Sequence, residues 1–337
     1  MKILITKDEH LSLGFRSKFR KPGWEKDVFN KHLFIIDYMK KNNIKYKITT
    51  GDIFDKQRQW SFKQFLVNKR ILELYKENDL EILSIAGNHD MIDGRLDIIE
   101  SPFEEMVKQD LITYISDNSY VFEEEGLPIA EVHGIDYRYI NDLYTKKDFF
   151  NEIRSLYYKT DNINKILVIH QNVTPQKERV TEFTYDELSE ICNEKEIKYL
   201  ICGHYHIGYP TKIINGVTII NPWNLWRVVR DYHIRENEHT PEFVVLDLNS
   251  GEFEHVIVPH KKYADAFDLK EIEFYKNLKK ENKEFFEFAK SFNSLEDLEN
   301  DDDLAIINEF IQNIKEKYNF DNNDINKIIT DLSKYFS

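Results

Sequence analysis

Glu81-Ile82-Leu83-Ser84-Ile85-Ala86-Gly87-Asn88-His89-Asp90 is a short apolar run that stops abruptly in a glycine and three polar side chains. The run has the length of a buried strand, and a glycine at its end permits the tight turn that follows. The same grammar recurs along the chain. Lys2 to Thr6 leads into Asp8-Glu9-His10, and Tyr46 to Thr50 leads into Gly51-Asp52-Ile53-Phe54-Asp55. Further on, Ile166 to Ile169 leads into His170, and Tyr199 to Cys202 leads into Gly203-His204-Tyr205-His206. Between the first runs, Asp27 to Lys41 places Phe29, Leu33, Ile36 and Met39 near one helical face, and Ser61 to Glu77 reads as a second helix. Strands alternating with helices predict an α/β layered fold. In such sheets the carboxyl ends of the strands converge on one crevice, so polar residues far apart in sequence are expected to meet there.

Composition sets the outer bounds. The chain has 337 residues, 41% of them apolar, enough for one large α/β domain with smaller additions. No stretch approaches the roughly 18–20 continuous apolar residues of a membrane span, and the first residues read as a strand rather than a signal peptide. With only two cysteines, Cys192 and Cys202, a disulfide framework is not expected, and a cytoplasmic setting is. Both cysteines are expected to pack as small buried residues. The net charge of -14 argues against a simple basic clamp for nucleic acid. The acidity is uneven, however: from Asp265 onward 18 acidic residues face 10 basic ones, so the front part is less acidic and can still meet a polyanion.

Two later regions differ in character. Phe243 to Leu248, Asn249-Ser250-Gly251 and Phe253 to Val258 read as a β-hairpin, expected to begin a small accessory domain. Beyond it, Ile272, Tyr275, Leu278, Phe285, Phe286 and Ala289 suit one helical stripe, and Leu304, Ile307, Ile311, Ile314 and Tyr318 suit another. Asp324 is placed to cap a last helix carrying Ile325, Ile328, Ile329 and Leu332.

The residue types at the strand ends make chemical sense together. Carboxylate, imidazole and amide donors suit borderline divalent metals. One carboxylate can bridge two ions about 3.5–4 Å apart, and such a pair clamps a phosphate and activates a water for in-line attack. The bland alternative, a set of unconnected core histidines and aspartates, has to produce five such segments in order.

That order, D-x-H, G-D-x-x-D, G-N-H-D, H and G-H-x-H, resembles the signature of the calcineurin-like metallophosphoesterases over roughly residues 1–225. The resemblance implies a metallophosphoesterase β-sandwich core flanked by helices. It implies two divalent metal ions, with Asp8, His10, Asp52 and His206 holding one and Asp52, Asn88, His170 and His204 the other. His89 matches a non-ligand histidine that protonates the leaving group or stabilises the charge on phosphorus, oriented by Asp90. Asp55 is expected to support its turn rather than bind metal.

Within that superfamily, Asp8-Glu9-His10-Leu11 followed by Gly14, and Gly51-Asp52-Ile53-Phe54-Asp55-Lys56, resemble the nuclease subunit of the bacterial SbcCD complex and its phage counterparts. The implied organisation is a nuclease domain over 1–228, a capping domain over 229–268 and a helical tail over 269–337 that grips an SMC-like ATPase. The implied activity is Mn²⁺-dependent DNA exonuclease and endonuclease action in repair or recombination, by a homodimer. A small-molecule phosphodiesterase or nucleotidase and a DNA-end scaffold without turnover are the alternatives. Two features depart from the pattern: Ser12 and Leu13 precede Gly14, and Asn221-Pro222-Trp223-Asn224 stands where the family commonly has a Pro-Gly-Ser turn. Arg16, Lys18, Arg20 and Lys21, and then Arg227, Arg230 and Arg235, form two basic patches suited to DNA phosphates. Trp223 and Trp226 could stack on unpaired bases. His133 lies in a strand-like run and reads as structural, and His32, His233, His239, His255 and His260 carry no motif.

Overall fold

The computed structural model describes residues 1–14, 19–55, 61–92, 101–116, 118–161, 163–176, 182–225, 239–273 and 277. The chain divides into two compact units, Met1–Phe267 and Asp268–Ser337. All the elements named below belong to the first.

In chain order the unit runs β1 (Lys2–Thr6), α1 (Trp24–Lys41), β2 (Tyr46–Thr49), α2 (Phe62–Glu77), β3 (Glu81–Ser84), α3 (Pro102–Lys108) and β4 (Thr113–Tyr114). It continues with β5 (Tyr120–Glu124), β6 (Leu127–Ile135), α4 (Lys146–Ser155), β7 (Asn164–Gln171), β8 (Val173–Thr174), β9 (Phe183–Thr184), α5 (Tyr185–Glu194) and β10 (Ile197–His204). It closes with β11 (Tyr209–Ile214), β12 (Val217–Asn221), β13 (Glu242–Asp247), β14 (Phe253–Ile257) and the single turn α6 (Tyr263–Ala266).

The strands form two six-stranded sheets, ordered β14-β13-β1-β2-β3-β4 and β11-β12-β10-β7-β6-β5. Strands β1, β2, β3 and β4 are mutually parallel, as are β6, β7, β10 and β12. One buried cluster joins Ile3, Ile5, Ile48 and Leu83 of the first sheet to Val132, Ile166, Val168, Tyr199 and Ile201 of the second, so the sheets face each other across it. The alternate residues point the other way. Leu4 and Ile82 pack with Ile35, Met39, Ile71, Leu72 and Met106 of α1, α2 and α3. Leu167, Ile169 and Leu200 pack with Phe149, Ile153 and Leu188 of α4 and α5. Both faces of each central strand are therefore covered, which is why these strands read as unbroken apolar runs rather than alternating ones. Each such side chain contributes about 1.5–3 kcal/mol by leaving water.

Local chemistry sets the helix starts. Ser61 accepts from Gln64 N while the Gln64 side chain accepts from Ser61 N, a reciprocal cap on α2. Thr145 with Asp148 and Thr184 with Glu187 repeat it on α4 and α5. Asn215 and Gly216 take φ of 51° and 79°, the left-handed pair that a tight hairpin between β11 and β12 requires.

The hairpin expected to open a capping domain is instead an integral part of the first sheet. Strand β13 pairs antiparallel with β1, Lys2 opposite Asp247 and Ile5 opposite Val244, and β14 extends the sheet beyond it. Alternation along a hairpin reveals a buried face but not the strand it will pair with. The expected boundary at 228/229 falls among residues outside the description, and the chain divides at Phe267/Asp268. Of the positions on the expected tail stripes, Ile272 is described and buried; the others lie outside the described residues. No helix among the described residues is long and apolar enough to cross a membrane.

Candidate metal centre

Strands β1, β2 and β3 end on the same side of the first sheet, and β7 and β10 end together in the second. Five strand ends therefore meet at one end of the sandwich, each carrying a segment singled out in the sequence. They are zipped to one another by backbone: His10 N donates to Asp52 O and Leu11 N to Ile53 O, both at 2.7 Å, and Asp55 N donates to Leu11 O at 3.1 Å. The turns are sharp enough to force Asp8, His10, Asp52 and His204 to positive φ of 43°, 40°, 49° and 83°. Non-glycine residues in this region cost about 1–3 kcal/mol each and persist only where the surroundings over-determine them. Gly87 is one of those surroundings, because the Asp52 carboxylate lies where its Cβ would be.

Among the described residues, donor atoms converge in two groups that share Asp52. One comprises His10, Asp52 and His89, and the other Asp52, His170 and His204. His206 Nε2 lies 3.0 Å from His10 Nε2, adjoining the first group. Asn88 Oδ1 lies 3.3 Å from His170 Nε2, adjoining the second. Asp8 is set back: its carboxylate accepts from His204 N at 3.0 Å and from Thr50 Oγ1 at 3.3 Å. Six of the seven expected ligands thus sit in or against the two groups, and Asp8 braces His204 from behind.

The donor set fits divalent metal. His170 Nδ1 donates to Thr50 O at 2.7 Å, which leaves the Nε2 lone pair pointing inward in the neutral ring. Around that nitrogen stand Asp52 Oδ2 at 3.2 Å, Asn88 Oδ1 at 3.3 Å and His204 Nδ1 at 3.2 Å. Two of these are oxygen acceptors, and the third offers a lone pair or a proton according to its tautomer. Such an assembly is repulsive unless a cation or a proton occupies its centre. The ionisation of the groups follows. Burial would lower His170, but the carboxylate of Asp52 and then that of Asp8 push it up to about 9. Burial would raise Asp52, but His170 first and then His10 and His89 hold it well below the usual carboxylate range. Burial, with His170 beside it, takes His204 down to about 3, so that ring is a neutral donor.

His89 differs from the sequence expectation in one respect. Its Nδ1 lies 2.8 Å from Asp55 O, so the backbone of Asp55 orients the ring. The expected hand, Asp90, is engaged elsewhere: its carboxylate accepts from Gly87 N at 3.0 Å, Phe54 N at 3.1 Å and Ile53 N at 3.3 Å. Asp90 thereby ties the Gly87–Asp90 turn to the Asp52 loop. Burial and the neighbouring Asp52 raise its carboxyl to about 7. Asp55, expected to support its turn, has its Oδ1 3.5 Å from His10 Nδ1.

Several contributors carried no motif. Thr50 serves His170 through its carbonyl and Asp8 through its hydroxyl. Tyr137 places its ring 5.0 Å from that of His204. It follows β6, so its signal was again a strand end, in a strand whose polar interruptions at Glu131 and His133 masked it. Asp136 Oδ1 accepts from Ala86 N at 2.8 Å, just before Gly87. Of the expected basic patches, Arg16, Lys18, Arg227, Arg230 and Arg235 lie outside the described residues, as does Trp226. Arg20 lies over the rings of Trp24 and Phe267, and Lys21 donates to Ala264 O at 2.6 Å. Trp223 N donates to Glu242, and its ring meets His239 edge-on at 5.3 Å. Cys192 and Cys202 are buried free thiols, and Thr211 and Glu242 flank His255.

The family model for calcineurin-like phosphoesterases matches residues 1–208. Solved structures similar to the chain include a protein of Thermus thermophilus, 13% identical, covering 77% of this chain and 99% of that one with a TM-score of 0.45. A dimetal phosphatase from Danio rerio is 10% identical over 77% of this chain and 99% of that one, with a TM-score of 0.46. The phosphoesterase YfcE from E. coli is 12% identical over 77% and 100% respectively, with a TM-score of 0.33.

Proposed function

The chain belongs to the calcineurin-like phosphoesterase family, and on that premise we propose that it is a DNA nuclease whose two metal ions are Mn²⁺. The family uses a dimetal centre and hydrolyses phosphoesters. The observation that carries the chemistry is that both donor groups share Asp52. In this reading Asp8, His10, Asp52 and His206 hold one ion, and Asp52, Asn88, His170 and His204 hold the other. Bound divalent cations supply Lewis-acid activation of a water and neutralise charge on the phosphate.

The remaining work falls to the chain itself. Thr50 O holds His170 in the tautomer that presents Nε2 inward. Gly87 lets the Asn88–His89 turn close over Asp52, and His89 N donates to Asp52 Oδ1 at 2.7 Å. Asp55 O fixes His89 through Nδ1, so Nε2 is the atom that delivers a proton to the departing oxygen. The buried Asp90 keeps that turn in register with the Asp52 loop.

DNA as substrate rests on the resemblance of Asp8 to Leu11 and of Gly51 to Lys56 to nucleases that work beside an SMC-like ATPase. The same resemblance supports a homodimer and an ATPase-gripping tail over 269–337. Phe62, Leu66 and Val67, exposed on α2, favour a self-contact there. The test is cleavage of linear duplex DNA with Mn²⁺, with and without the co-encoded ATPase, against hydrolysis of bis-p-nitrophenyl phosphate. Cleavage of DNA is expected. Rapid hydrolysis of the small diester with intact DNA in both conditions refutes the nuclease reading and leaves a small-molecule phosphodiesterase.

A further inference from the structure

The centre is split between the two sheets. Asp8, His10, Asp52 and Asn88 follow strands of the first, and His170, His204 and His206 belong to the second. A cation held from both sides requires the two sheets to keep one fixed offset at this end of the sandwich. From the placement of one side chain we infer that Lys7 is the positioning residue that sets this offset and holds His206 in place; the inference rests on the metal assignment proposed above.

Lys7 directly follows β1 and is fully buried. Its side chain leaves the first sheet and enters the second. Nζ donates to Tyr205 O at 2.8 Å, to Ile207 O at 3.2 Å and to Asn221 Oδ1 at 2.7 Å. An ammonium has three N–H groups, and here are three acceptors for them. Two of the acceptors are the carbonyls on either side of His206, so the lysine grips the backbone that carries this ligand. The third is the last residue of β12, whose own Nδ2 donates to Val173 O at 3.2 Å and is thereby fixed. Asn221 begins the Asn221–Asn224 segment that departs from the usual Pro-Gly-Ser turn of the family. The far side of the same loop is closed as well, because Gly208 packs against Trp223 N with no room for a Cβ.

The logic extends along the β1 loop. Asp8 and His10 turn toward the centre, while Lys7 and Glu9 turn into the protein. Glu9 stays with Lys47 and Thr6 of the first sheet, and Lys7 is the one that crosses to the other sheet. Partners that orient metal ligands typically change metal affinity about 10- to 100-fold when removed.

The experiment uses the full chain, stripped of metal with a chelator and titrated with Mn²⁺ by equilibrium dialysis, with folding followed by circular dichroism. The wild type is expected to bind two ions. Lys7→Met keeps the length and apolar stem of the side chain but removes all three donors. It is expected to bind one ion as the wild type does and the other about 10- to 100-fold more weakly, the pattern that His206→Ala gives in more severe form. Asn221→Ala, which removes a single acceptor, is expected to weaken the same ion by a smaller factor. A lysine with a merely structural role lowers the melting midpoint of the variant and leaves both Mn²⁺ constants unchanged below that midpoint; this result overturns the inference. Where Lys7→Met does not fold, Asn221→Ala decides, and unchanged constants overturn the inference equally. A wild type that binds fewer than two ions overturns the metal assignment itself, an outcome distinct from a failure of Lys7 alone.

Discussion

Replacing Lys47 by Met is expected to be among the most damaging single changes outside the metal ligands. Lys47 on β2 and Glu9 beside Asp8 are both fully buried, with Nζ and Oε1 2.5 Å apart. Thr6 Oγ1 donates to the same oxygen at 2.7 Å, and Glu9 Oε2 has no hydrogen-bond partner among the described residues. Burial would raise the Glu9 carboxyl, but the ammonium of Lys47, with His32 and Thr6, holds it below the usual range. Burial lowers the Lys47 amine, and the Glu9 carboxylate opposes that shift. Its Nζ also sits 4.4 Å from the Tyr75 ring centroid. Lys47→Met leaves an ionised carboxylate in the core with one hydroxyl donor. Stranding a buried charge in this way costs about 3–5 kcal/mol, whereas replacing both partners by apolar groups of similar volume is near neutral. Denaturant unfolding of the wild type, Lys47→Met, Glu9→Leu and the double variant closes a cycle whose coupling energy should be several kcal/mol. The stabilisation from Glu9 should be present above its unfolded pKa and disappear as pH falls through the depressed folded value, so acid should narrow the gap between wild type and Lys47→Met. A single variant within about 1 kcal/mol of wild type at pH 7, or a double variant less stable than Lys47→Met, refutes the argument.

Three further outcomes are expected. His89→Ala should lower the turnover rate about 10²–10⁴-fold while leaving two bound Mn²⁺; loss of an ion in dialysis would instead make His89 a ligand of the first donor group. Lys31 is buried and donates to Leu225 O, and burial takes its amine down to about 7. Its folded pKa lies below the unfolded value, so stability should be greater near pH 10 and fall as pH drops towards 7; urea midpoints across this window should show that slope in the wild type and a flatter one in Lys31→Met. His204 has φ of 83°, so His204→Gly should be more stable than His204→Ala by about 1–2 kcal/mol, and equal stabilities in thermal unfolding would mean that this turn carries no strain.

The parts of the fold legible in the sequence were those buried on both sides. Ile3 to Ile5, Ile82 to Ile85 and Leu200 to Cys202 are apolar almost without interruption because the other sheet lies on one face and helices on the other. Strand β6 showed only as a strand-like run around His133 because Glu131 and His133 interrupt its apolar pattern, although the Glu131 carboxylate is satisfied by the N–H groups of Lys159 and Thr160. The hairpin of β13 and β14 was visible, but its partner strand was not, since pairing with β1 brings together residues more than 200 apart in sequence. The segments that meet at the candidate site left marks of their own. Their residue types are rare at strand ends, and glycines at 51, 87 and 203 marked the places where backbones approach closely. What could not be read was the set of side chains that hold the ligands. Lys7, Thr50 and Asp136 look like ordinary polar residues, and only their positions show that they brace His206, His170 and the Gly87 turn.

That difference follows from the way the centre is built. A ligand's chemistry is a property of its own side chain, so it leaves a mark at one position. Its placement is a property of pairs, and here many pairs cross between the sheets: His204 N to Asp8, His170 Nδ1 to Thr50 O, and Lys7 Nζ to Asn221. Each joins residues more than 100 apart in sequence, and none produces a local pattern. Four residues of the candidate site also sit at positive φ, a conformation the chain does not adopt unaided. Bonds within the first sheet's loops over-determine it for His10 and Asp52, and the cross-sheet bond from His204 N to Asp8 does so for the other two. Stability and metal binding should therefore fall together when such a bond is cut, while deletion of a ligand side chain alone should remove metal and leave the sandwich folded.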